Sequence, residues 1–202
     1  SNDICFIVLN FVKKGRMKRI PYISGIIITV FIVLHVSNHL YSILGVERHI
    51  EIMNSLRTVY RNVIAESILM LAVLVQIVSG IQLFRAKRSQ ATGFYEKLQL
   101  WSGLYLAIFF LVHLGAVFSG RWVLDVDTNI YFGVAGLNTF PFSLFFIPYY
   151  SIAIMSFFGH IASIHQQKMK GPILGISPRY QAHILLSIGV IITFLTLFGL
   201  TN

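Results

Sequence analysis

Residues Ile20–Leu44 decide the fold, and at their heart lies the run Phe31-Ile32-Val33-Leu34-His35-Val36-Ser37-Asn38-His39. Crossing the hydrocarbon core of a bilayer takes about 20 apolar residues, and this segment is long enough. Two histidines sit inside it. An ionisable side chain at that depth is costly and marks a functional site by default. His35 and His39 are spaced i, i+4 and share one helix face. A buried neutral imidazole with one free ring nitrogen suits axial ligation of haem iron. The plainer role is a hydrogen bond to a neighbouring helix.

Working outward, the whole chain fits this reading. Of its 202 residues, 56% are hydrophobic and 11% charged, against about 25% charged in soluble domains. The expected fold is all-α, an integral membrane bundle, because the long apolar runs lack the alternation of a barrel strand. The net charge of +9 lies mainly between the apolar runs. It points to membrane topology and anionic lipid, not to nucleic acid. Cys5 is the only cysteine, which excludes an internal disulfide, a thiolate zinc site and a protein-ligated iron–sulfur cluster.

Five spans are expected, at about 22–44, 63–83, 98–118, 141–164 and 182–200, in one domain covering residues 1–202. Residues 1–19 carry a short apolar stretch and then Lys13, Lys14, Arg16, Lys18 and Arg19. They read as an interfacial segment on the membrane surface or as an unstructured tail, without an obvious signal-peptide cleavage site. Lys and Arg cluster in this segment, in the second connection (Arg85, Lys87, Arg88, Lys97) and in the fourth (Lys168, Lys170, Arg179). By the positive-inside rule these face the cytoplasm, as does the N-terminus. The expected location is the cell inner membrane, crossed several times.

With that orientation, the polar groups inside the spans fall into two tiers. At 1.5 Å per residue, His35 in the first span and His113 in the third reach nearly the same depth in the outer half. Gln76 in the second span and His160 in the fourth lie closer to the inner surface. His35 and His113 are the expected iron-ligand pair. His39 can contact a haem propionate, a quinone or loop water. His160 serves equally as a ligand or as a structural hydrogen bonder. Gln76 suits an interhelical hydrogen bond. His165 lies at the membrane edge, and His49 in an outer loop and His183 at the start of the fifth span suit solvated or propionate-binding roles.

The chain resembles the five-helix cytochrome b membrane anchor of succinate dehydrogenase and fumarate reductase, the single-polypeptide type with two haems. The likeness runs from about Tyr22 to the C-terminus. It rests on Leu34-His35, on Glu66 and Gln76-Ile77-Val78-Ser79-Gly80, and on Leu98-Gln99 through Ser102-Gly103 to His113. It continues with Gly159-His160 and Gly175-Ile176-Ser177-Pro178-Arg179-Tyr180-Gln181. In that family, histidines of the first and third helices hold one haem, and those of the second and fourth hold the other. By position these ligands fall on His35, His113, Gln76 and His160. Gln76 therefore replaces an expected histidine, so the resemblance implies one haem b, with a second left open.

The function implied by the resemblance is electron transfer between membrane quinone and a peripheral flavoprotein and iron–sulfur protein. The chain alone is expected to be non-catalytic. Ser24, His39 and Gln76 are candidate quinone contacts. The alternatives are a haem-binding sensor or anchor of a signalling protein and a haem-free scaffold. The topology has a direct check. A cysteine placed at Ser89 is expected to resist labelling by an impermeant thiol reagent from the periplasmic side of intact cells, and ready labelling would invert the orientation.

Overall fold

The computed structural model describes residues 19–201. Among these the chain is all-helical, with no strand. Helix α1 spans Arg19–Leu40 and continues into a 3-10 turn, Tyr41–Leu44. Then follow α2 (Val46–Tyr60), α3 (Val63–Lys87), α4 (Phe94–Trp122), α5 (Ile130–Val134), α6 (Ser143–Lys168) and α7 (Pro178–Thr201). Five of these, α1 with its 3-10 extension, α3, α4, α6 and α7, are long and apolar enough to cross a membrane. The interfacial segment expected over residues 1–19 falls almost wholly outside the described residues.

Each long helix packs on the next in sequence, and α7 returns to α1, so the five close into a ring. Their outward residues stay apolar: Val30, Val33, Leu71, Leu111, Ile191 and Phe194 are all exposed. A continuous apolar exterior of this kind fits hydrocarbon, not water. Between α1, α3 and α4 the core is Ile28, Leu69, Ala72, Val73, Ile77 and Ala107. Small residues bring α6 against its neighbours, with Ala162, Ser163 and Ala182 fully buried, as close helix approach in lipid requires.

The helices extend as much as four residues past the expected spans. The apolar run stops where charges begin, but the backbone ladder does not. Arg85 and Lys87 occupy the last turn of α3, Arg121 that of α4 and Lys168 that of α6. Cations there complement the carbonyl end of a helix. At the starts, the Asn62 side chain accepts from Ile64 N–H at 3.0 Å. The Glu96 carboxylate accepts from Thr92 and Gly93 N–H at 3.0 and 3.1 Å. Both satisfy amides that have no partner within the helix.

Residues 46–60 correct an expectation: the first connection is not a loop but an amphipathic helix. α2 turns His49 and Met53 inward while Arg48 and Glu51 pair on its exposed side. The 3-10 turn before it lies against α7, and Gly45, with φ of 109°, makes the bend between them. That backbone region favours glycine.

Close packing of α6 on α7 depends on Gly189, where a Cβ would stand 2.6 Å from Phe158 Cβ. Gly189→Val is expected to destabilise the bundle by about 1–3 kcal/mol. Ile184→Val, on an exposed position, should stay within about 0.5 kcal/mol. Thermal unfolding of the two variants in detergent measures the difference.

Candidate functional site

A cavity of about 380 Å³ lies at the α2 end of the ring, within the range of small-molecule and cofactor sites. Its walls are mostly apolar, built by side chains such as Phe31, Phe109, Phe110 and Phe157. His35, His39, His49 and His113 all line it. α1 carries His35 and His39 into it from near its end, and α4 brings His113 from the facing side.

The structure brings His35 and His113 together. Their ring centroids are 6.2 Å apart and their planes cross at 67°. Imidazoles this close, one from each of two helices, would be able to hold one metal ion between them. Both rings are braced by aromatic neighbours. His35 stacks on Phe31 at 5.6 Å, and His113 stacks on Phe109 at 5.1 Å with its edge toward Tyr150 at 6.4 Å.

His39 sits between two other histidines. Its Nε2 is 3.2 Å from His35 Nε2, and its Nδ1 is 3.3 Å from His49 Nε2. The Asn38 amide nitrogen, one residue before it, also reaches His49 Nε2 at 3.1 Å. His49 is 1% exposed, which corrects its expected place in a solvated loop. Four buried polar atoms of residues lining the cavity have no partner among the described residues: Asn38 Oδ1, His49 Nδ1, Arg57 Nε and Thr196 Oγ1.

The cavity rim is basic. Arg57, Arg61 and Arg121 line it beside Glu66 and Thr128. Arg57 pairs with Asp127 at 2.9 Å and donates to the Thr128 carbonyl at 3.0 Å, yet its buried Nε has no partner among the described residues. Arg61 donates to the Thr128 hydroxyl at 3.0 Å, and Arg121 is ion-paired with Glu66.

The second tier is arranged differently. Gln76 donates to the Pro21 carbonyl at 2.5 Å and to the Ser24 hydroxyl at 2.8 Å, which ties α3 to α1. His160 Nδ1 meets the Gln99 carbonyl at 3.1 Å and the Ser102 hydroxyl at 3.2 Å. Its ring packs so closely on Gly103 that a Cβ there would be 3.0 Å from Cε1. Gln76 and His160 are thus bonded to different helices and not to each other, Gln76 in the interhelical role expected of it. Neither lines the α2-end cavity or the open cleft between α4 and α6. His165 bonds Gln181 at 2.5 Å and so ties α6 to α7, while His183 lies beside Tyr95. Both stand apart from the histidine cluster.

Sequence reasoning missed Asn38 and His49 as partners of His39, and it missed the arginine rim. The available signal was the spacing of His49, Met53 and Arg57, each four residues from the next and so on one helix face. Burial, and after it the charge of Arg57, lowers the pKa of His49 from its ordinary 6.5. A histidine held neutral in the fold stabilises it above the unfolded value, and that contribution is lost as pH falls below about 6.5. The protein is therefore expected to lose thermal stability between about pH 7.5 and about pH 5, with a smaller loss in His49→Gln. Melting curves at the two pH values test this. No family model, curated protein or solved structure matches the chain, so its function rests on the geometry of this site.

Proposed function

We propose that the chain is a membrane cytochrome b anchor that holds one b haem between His35 and His113. The observation that carries this is the pair of imidazoles, one from each of two helices, 6.2 Å apart across an apolar cavity. The donor set suits the group: two neutral nitrogens for the iron, aromatic walls for the macrocycle, and a basic rim with the free Arg57 Nε for its carboxylates. When bound, such a haem is a one-electron carrier. The chain's own residues bind and orient it. Phe31 and Phe109 fix the two ring planes, and the arginines offset the propionate charge.

The resemblance extends the proposal to electron exchange between membrane quinone and a flavoprotein and iron–sulfur partner, docked at the basic face opposite α2. That face would be cytoplasmic and the membrane the inner one. A single haem per chain is supported by the second tier, where Gln76 is tied to the Pro21 carbonyl and the Ser24 hydroxyl of α1. A glutamine amide is also a poor iron donor. The same glutamine favours a second reading, a haem-binding sensor or anchor, because without a second ligand pair the relay cofactor of a two-haem electron path is missing.

A pyridine haemochrome assay on fully loaded protein is expected to give one b haem per chain. His35→Ala and His113→Ala should each abolish the low-spin spectrum, while Gln76→Ala leaves it in place. Protein that takes up no haem would sink the reading, and two haems per chain would sink the stoichiometry. Reduction of the bound haem by quinol separates the electron-transfer anchor from the sensor.

A further inference from the structure

We infer that His49 is a positioning residue: acting from α2 through His39, it decides which imidazole of α1 stands opposite His113. This rests on the haem reading above. The two histidines of α1 lie one turn apart, and their Nε2 atoms come within 3.2 Å of each other. They are aimed at nearly the same point. One face of an iron takes one imidazole, and side chains of one helix cannot reach both faces of a haem plane. One of the two must therefore be held back.

The hydrogen bonds differ between them. His35 has no other polar partner among the described residues; it stacks on Phe31 and meets the ring of His113. His39 is bonded at its second nitrogen, Nδ1, to His49 Nε2, and its ring stacks on that of His49 at 5.3 Å. The Asn38 amide reaches the same His49 nitrogen at 3.1 Å, which fixes the His49 ring from α1 as well. His39 is an imidazole like His35 and would be able to offer a nitrogen to iron in its own right. What holds it back is its tether to a different helix. His49 is suited to anchor that tether, being almost fully buried and fixed by Asn38 as well.

The prediction separates positioning from mere packing. In haem-loaded His49→Leu, His39 loses its tether and competes with His35. Low-temperature EPR should then show a second low-spin species beside the native one. The double variant His39→Leu/His49→Leu removes the competitor and should return to a single species. His49→Gln, which can still bond His39, should keep the native spectrum alone and shows that the position tolerates change. An unchanged spectrum in His49→Leu would overturn the inference. So would complete loss of the low-spin signal in His39→Leu, because His39 would then be the ligand and His49 its support. Wild-type protein that binds haem with a low-spin spectrum while these variants fail the test would leave the haem reading standing and remove only the role of His49.

Discussion

An imidazole inside an apolar bundle has two ring nitrogens and no water to satisfy them. Each nitrogen must find a partner or face a cavity. That requirement organises both ends of this protein. At one end His160 gives Nδ1 to a backbone carbonyl and a hydroxyl and packs against Gly103. At the other, four histidines share a space too large for their own hydrogen bonds to fill. The bundle is built of the same material throughout, and the polar partners decide where it is solid and where it opens.

Glycine and serine make this contrast possible. Gly103 and Ser102 let His160 come up against α4, and Ser24 with the Pro21 carbonyl gives Gln76 two acceptors on α1. Near the α2 end, the facing positions are Phe31, Phe109 and Phe110. The rings of Phe31 and Phe109 brace His35 and His113 from the side but offer them no hydrogen bond. Hydrogen bonds to neighbouring helices thus hold Gln76 and His160 Nδ1 in one tier, while in the other the histidines bond mainly to one another.

The sequence announced much of this. Five apolar runs of spanning length are legible without any structure, because a bilayer demands length and composition together. The matched depths of His35 and His113 follow from counting residues along helices that run the same way. The ends of the helices were less legible, because hydropathy falls at the first charge while the backbone hydrogen bonds continue. Helix α2 was hidden for a related reason. Its apolar face is short, Met53 and a few neighbours, and four of its residues within a dozen are charged. Burial of His49 depends on where α1 ends and how Gly45 turns the chain, which no local pattern contains. The partners of Gln76 lie more than fifty residues away.

Helix α2 is attached to the rest by a glycine bend on one side and an asparagine cap on the other. Much of its hold on the bundle is polar: Asn38 and His39 on His49, and Asp127 and Thr128 on Arg57. The stretch between the first two spans is thereby part of the cavity wall: side chains from α1 and from residues 127–128 converge on this one short helix, and Met53 and Ile50 add an apolar hold beside them.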